Sequence, residues 1–185
     1  MPRPHVPSLD DIKSANEEIR FYALAGAIMS LAAGLELTYF DVFERATKIN
    51  RELAASFFYK ILSASTRRDI ADAAVQRALD GNPMLREWSA LYQRITTLTG
   101  KSSQRHLLAH AVIRQEVITK QGPISSSGFL GLTETTISYR VEQDAALLLA
   151  GQRKARAADF ESLLAYCEEI ISVLSDLDSF LAKLP

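Results

Sequence analysis

The chain has 185 residues, 48% of them hydrophobic and 23% charged, with 21 Lys and Arg side chains against 22 Asp and Glu for a formal net charge of -1. That balance suits a globular chain and excludes a disordered one, while near-neutrality excludes a protein that coats nucleic acid with its whole surface. The lone cysteine, Cys167, excludes an intrachain disulfide and a Cys-x-x-Cys metal site, and fits a reducing, cytoplasmic setting as a small apolar filler.

Pro2, Pro4 and Pro7 make residues 1–8 an extended leader, because proline cannot join a helical ladder in mid-helix. No secretory pattern follows. Ser8 or Asp10 is then placed to cap a long helix from about Asp11 to Phe43. Within it Ile19, Tyr22, Gly26, Met29 and Ala33 recur at helical spacing, and Gly26, Ser30 and Gly34 lie four apart, a packing stripe that would also serve self-association. The most lipid-like stretch, Ala23 to Leu35, is closed by Glu36 well short of the roughly 20 residues that span a bilayer, so no membrane role is expected.

A second helix is predicted over Ile49–Leu62, with Leu53, Phe57 and Ile61 on one face and Phe58 broadening it. Ser63-Ala64-Ser65-Thr66 weakens the pattern before a third helix that runs through Leu79. Asp80-Gly81-Asn82-Pro83 is a stop, since glycine takes the left-handed conformation and a residue before proline disfavours helix. From Met84, the spacing of Leu85, Trp88, Leu91, Tyr92, Ile95 and Leu98 predicts the next helix, with Trp88 as a core anchor.

Gly100-Lys101-Ser102-Ser103 interrupts the pattern, and either serine would cap a further helix to about Thr119. Residues 121–152 form a loop or hairpin insertion: Thr135 to Val141 alternates as a strand would, with Gly128–Leu132 or Leu147–Ala150 as its partner. A final helix from Arg156 or Asp159 to Lys183 presents Phe160, Leu163, Leu164, Cys167, Ile170, Ile171, Leu174 and Leu177 as an apolar face. The expected fold is mainly α, a multi-helix bundle with a small β-hairpin insertion, in a single domain over residues 1–185.

The chemistry concentrates in Arg105-His106-Leu107-Leu108-Ala109-His110, which holds two of the three histidines. From Arg94 to Lys120 the chain carries Arg94, Lys101, Arg105, Arg114 and Lys120 against Glu116 alone, so an anion-binding surface would be local. At the start of a capped helix the motif would also meet unpaired backbone N–H groups that favour phosphate. A neutral histidine can take the proton of an RNA 2′-hydroxyl while arginine neutralises the scissile phosphate, leaving a 2′,3′-cyclic phosphate and a 5′-hydroxyl. Positions five apart differ by about 140° around a helix. Two copies packed across a dimer axis would bring two arginines and two histidines to one groove.

Competing readings attach to the same residues. Arg105 is equally suited to an ion pair with Glu36, Asp69 or another bundle carboxylate, His110 to a neighbour's hydrogen bond, and His106 to a supporting role. His106 and His110 are four apart, as two zinc ligands on one helical face would be, yet no third ligand accompanies them, so neither metal nor cofactor is expected. Arg67-Arg68-Asp69 reads as a solvated or paired charge cluster that would also line an RNA groove. Tyr139 and Arg140 would sit on the hairpin, one inward and one outward. No Walker, dinucleotide or G-x-S-x-G spacing is present.

Arg105-His106-Leu107-Leu108-Ala109-His110 resembles the R-x(4–6)-H signature of the HEPN superfamily, and the helix holding Trp88 to Ile95 with the Leu-Ala-His ending also looks like helical bacterial proteins of that type. The resemblance implies a helical bundle, commonly dimeric, and a metal-independent endoribonuclease of toxin-antitoxin or phage-defence type. It would give Arg105 the phosphate, His110 the acid-base role and His106 the supporting polar position, where the family often has asparagine or aspartate. The partners it implies are a second copy, RNA, and an antitoxin or regulatory protein. The alternative is a noncatalytic HEPN-like regulatory or protein-interaction module.

Overall fold

The computed structural model describes residues 8–100, 104–109, 111–121, 133–143 and 157–184. The leader therefore lies outside the described residues, as do the proposed capping serines 102 and 103, His110 and most of the insertion. Within the described residues the chain is a mainly α, multi-helix bundle.

The first helical stretch is two helices where one was expected. The Ser8 hydroxyl accepts the Asp11 N–H at 3.1 Å to start α1 (Leu9–Ser14), and extended backbone at Ala15 ends it. Asn16 then caps α2 (Glu17–Thr47), its side-chain oxygen accepting the Ile19 N–H at 2.9 Å. An asparagine satisfies the orphan donors of a new helix better than it continues an old one, which is why the break falls there. Helix α2 ends at Lys48, whose φ of 55° is left-handed.

By length and composition α2 could cross a bilayer over Ile19–Thr47, a longer stretch than the thirteen residues read from the sequence, and 39% of its apolar window is buried inside the bundle. Phe21, Leu24, Ile28, Leu35, Tyr39, Phe40 and Val42 are the residues that go into the core.

Helix α3 (Arg51–Phe58) is shorter than predicted and turned the other way. Asn50 caps it, and Ala54 and Phe58 face inward, with the Phe58 ring 5.6 Å from Phe40 and 5.4 Å from Phe43. Leu53 and Phe57, expected in the core, are 51% and 60% exposed. The sequence is apolar on both sides of this short helix, and the aromatic pair on α2 covers only one of them. Helix α4 (Ala64–Ala78) begins at the Ser63 cap, so the serine-rich stretch read as a weakness is a start signal.

The stop before α5 (Met84–Thr99) is as read: Gly81 has φ 72° and Pro83 precedes the first turn. Trp88 is fully buried, its Nε1 donating to Asp72 at 2.7 Å and its ring 5.2 Å from Phe180. Helix α7 (Phe160–Lys183) closes the bundle against α2 and α5. Asp159 caps it by accepting the Ser162 N–H at 2.8 Å, a bond that holds the Asp159 carboxyl below the usual carboxylate range. Its apolar face is as expected except for Ile171, which is 40% exposed.

Between α5 and α7 the expected helix to Thr119 is replaced by a short one and a strand. Helix α6 spans only Gln104–Ala109, and β1 (Ala111–Gln121) follows. Strand β1 pairs antiparallel with β2 (Thr133–Gln143), from Ala111 opposite Gln143 to Gln121 opposite Thr133. The alternation read in Thr135–Val141 is a strand, but its partners are β1 and the two-residue β3 (Ala157–Ala158), which pairs with Val141 and Glu142. Val112, Ile113, Val117, Ile118 and Thr119 are β-branched, which explains the preference for strand over helix. The side chains of Tyr139 and Arg140 lie outside the described set.

Trp88→Ala is expected to cost about 3–5 kcal/mol in urea unfolding, as large-to-small changes in a filled core do, whereas Leu62→Ser, at a side chain 95% exposed, should stay within about 0.5 kcal/mol. Burial pushes the Cys167 thiol up to about 11. Iodoacetamide at neutral pH should therefore label Cys167 only after denaturation. Stability should fall as pH rises from about 9 toward 11, where the unfolded thiol has lost its proton and the folded one has not.

Candidate functional site

Of the three polar members of the motif, Arg105, His106 and His110, Arg105 is the one whose side chain is described, and it meets a carboxylate. Leu107, two residues on, is buried and anchors α6 to the bundle, leaving Arg105 at the edge of the α2 surface. Its Nη2 donates to Oε1 of Glu36 at 3.3 Å. The other oxygen of Glu36 accepts from Nη2 of Arg67 at 2.7 Å, and Nη1 of Arg67 donates to the Ile61 carbonyl at 2.6 Å. One carboxylate on α2 thus ties α4 and α6 to the central helix. Arg67 is nearly buried, with 15% of its side chain exposed, whereas Arg105 keeps 35%.

A third arginine lies beside this triad. Arg68 donates from Nη1 to the Thr99 hydroxyl at 2.7 Å, and its guanidinium carbon stands 6.0 Å from the Tyr92 ring centroid. The Thr99 hydroxyl in turn donates a hydrogen bond to the Ile95 carbonyl at 2.8 Å. Tyr92 donates to Asp69 at 2.8 Å, and Asp69 lies 3.5 Å from Arg68. Two buried polar atoms here, Nε of Arg68 and the hydroxyl of Tyr39, have no hydrogen-bond partner among the described residues. Burial raises the Tyr39 phenol far above its ordinary value, with nearby Arg68 pulling the other way. Tyr92 is raised too, by burial and by Asp69. Both phenols are therefore held in the neutral form, and that of Tyr92 is a donor, to Asp69.

The junction of α2, α4, α5 and α6 gathers three guanidinium groups against Glu36 and the more exposed Asp69. It can hold an anion at the Arg105 edge, where the side chain is partly open, and it can brace the helices at the Arg67 edge, where it is not. Arg67 and Arg68 were legible as a charge cluster, and Glu36 as one potential partner of Arg105. Tyr39 and Thr99 left no signal, because they meet Arg68 only through the packing of three helices.

The expected roles of the histidines fall outside what the structure describes. The backbone of His106 is within α6 but its side chain is not described, and His110 lies outside the described residues. Helix α6 spans Gln104–Ala109 in place of the expected helix to about Thr119. At six residues α6 also lacks the length to present the phosphate-binding N-terminus expected of a helix to Thr119. Among the described residues no group of His, Cys, Asp and Glu is arranged to hold a metal ion.

Comparison with known proteins adds nothing to these contacts: no family model matches the chain, and neither a curated protein nor a solved structure matches it significantly.

Glu36→Gln should destabilise the fold by about 1–2 kcal/mol, since it removes the charge on which two arginines converge at a partly buried point. Arg105→Ala should cost less, under about 1 kcal/mol, because that pair is longer and more open to solvent. Urea midpoints of the two variants check the order.

Proposed function

We propose that the chain is a HEPN-like, metal-independent endoribonuclease of toxin or phage-defence type, acting in the cytoplasm as a homodimer with RNA as substrate and an antitoxin or regulatory protein as its check. The observation that carries this reading is the placement of Arg105: it is held by Glu36 inside an arginine-rich junction, yet about a third of its side chain remains open. A guanidinium fixed by one carboxylate contact is preorganised to meet a phosphate oxygen with its remaining N–H groups.

In this mechanism His110 takes the 2′-hydroxyl proton as the 2′-oxygen forms a bond to the adjacent phosphorus. The bond to the 5′-oxygen breaks, and that oxygen leaves with a proton from water, to which His110 gives up the one it took. Arg105 stabilises the charge on the phosphate oxygens, and His106 supports from the next position. DNA has no 2′-hydroxyl and is spared. The antitoxin and the defence context come from the resemblance of the Arg105–His110 motif alone.

A second reading is favoured by the same ion pair. If Glu36 holds Arg105 as a structural strut, the chain is a noncatalytic HEPN-like regulatory or protein-interaction module.

End-labelled RNAs incubated in EDTA with wild type, Arg105→Ala and His110→Ala separate the two. The nuclease reading expects cyclic-phosphate ends from wild type and a loss of rate by about 10²–10⁴ in each folded variant. Equal background from all three decides for the module.

A further inference from the structure

At the junction of α2, α4, α5 and α6 the guanidinium groups of Arg67 and Arg105 are answered by Glu36, one to each oxygen. Arg68 is answered less well. Its side chain is 12% exposed, and its carboxylate contact among the described residues is Asp69, 3.5 Å from Nη2 on a side chain 59% exposed. The same Asp69 oxygen accepts the Tyr92 hydroxyl at the shorter distance of 2.8 Å. Asp72, one turn further along α4, accepts from Trp88 Nε1 and Gln76 Nε2, both at 2.7 Å. A guanidinium taken largely out of water without a close counter-charge is unfavourable.

Two hydrogen-bonding groups at this corner are idle. Nε of Arg68 and the hydroxyl of Tyr39 are buried and have no partner among the described residues. They stand together: burial raises the Tyr39 phenol, and the groups that pull it back are Arg68 and the Thr99 hydroxyl, themselves bonded at 2.7 Å. Buried polar atoms are seldom left without partners, and two donors idle at one place call for an acceptor between them.

We propose that this corner is a phosphate-binding site, in which one phosphate group accepts hydrogen bonds from Nε and Nη2 of Arg68 and from the Tyr39 hydroxyl. The site goes beyond the reading above. Neither Arg105 nor a histidine belongs to it, and it stands or falls independently of RNA cleavage.

The shape of the guanidinium selects the ligand. Nε–H and one N–H of Nη2 lie side by side along one edge, a fork that matches two oxygens of an oxyanion. Asp69 does not fill that fork, since it reaches Nη2 alone and from beyond the length of a charge-assisted hydrogen bond. A water or a chloride offers one acceptor atom to the fork. A phosphate offers two, and a third oxygen for the Tyr39 hydroxyl, which burial keeps neutral so that it adds no repulsion. Asp69 is the group that the phosphate displaces, and a side chain already more than half exposed moves into water at small cost.

Equilibrium dialysis of the full chain against radiolabelled inorganic phosphate, at constant ionic strength set with sodium chloride, is the test. Wild type should bind one equivalent saturably, and its thermal midpoint should rise with occupancy. Arg68→Gln should weaken binding by about 10-fold or more, and Tyr39→Phe by about 3- to 10-fold. In chloride alone Tyr39→Phe should be at least as stable as wild type, because it removes a buried hydroxyl without a partner. Asp69→Asn should tighten binding by about 3-fold or more, because it removes the competing charge.

Displacement of the labelled phosphate by a short single-stranded RNA assigns the site to a nucleic-acid backbone, and lack of displacement assigns it to free phosphate or a small phosphate ester. A wild type that binds no phosphate overturns the site and leaves a water between the two donors. Binding indifferent to both Tyr39→Phe and Asp69→Asn overturns it equally, whether or not Arg68→Gln folds.

Discussion

A 31-residue helix has more apolar circumference than any single neighbour can cover, and the architecture is a response to that constraint. Helices α4 and α7 take the two largest shares of α2, with α1, α3, α6 and β2 adding smaller ones. The large buried side chains of α2 therefore point in several directions, and the helix works as a central post. Its remaining apolar strip, at Ile19, Tyr22 and Met29, is exposed among the described residues. Burying Phe21, Leu24, Ile28 and Leu35 supplies the driving force, at roughly 1.5–3 kcal/mol for each fully covered side chain, and the entropy of ordering the chain opposes most of it.

Glu36 interrupts the apolar run of α2 at the point where two further helices must be oriented. A carboxylate there would be a cost without partners, and Arg67 and Arg105 supply them, one to each oxygen. Contact between apolar side chains has no preferred direction, whereas a carboxylate with two occupied oxygens fixes where its partners stand. The position that draws α4 and α6 into register is therefore the same one that places Arg105 at a partly open edge. Structure and candidate chemistry share a single contact, which is why its removal bears on both.

Helix boundaries marked by a chemically specific residue were legible. Gly81 with Pro83 ends one helix and starts the next, and Asp159 starts α7. Asn16 carries the same cap chemistry inside a run of good helical spacing, and Ser63 carries it inside a serine-rich stretch where several hydroxyls could serve as the cap. The orientation of α3 was not legible, because Leu53 and Phe57 are as apolar as Ala54 and Phe58. The stretch after Ala109 misled for a related reason: short apolar runs fit helix and strand alike, and β-branched Val112, Ile113, Val117 and Ile118 were the discriminating sign. Arg105 and its potential partner Glu36 could both be named from residue type, but the pairing could not be chosen over the alternatives.

Composition and periodicity by themselves determined that this is a mainly helical bundle with a strand between its last helices, that Trp88 and Cys167 are interior, and that the positive charge is local. Those properties follow from the apolar pattern and from chemistry confined to a few neighbouring residues. Only the tertiary structure decided that Arg105 meets Glu36, that Arg68 meets Thr99 beside Tyr39, that α3 turns Phe57 to solvent, and that Ile19, Tyr22 and Met29 on α2 are exposed among the described residues. Each of these depends on which helices become neighbours, a competition for limited buried surface among segments far apart in the chain, and no local pattern records its outcome.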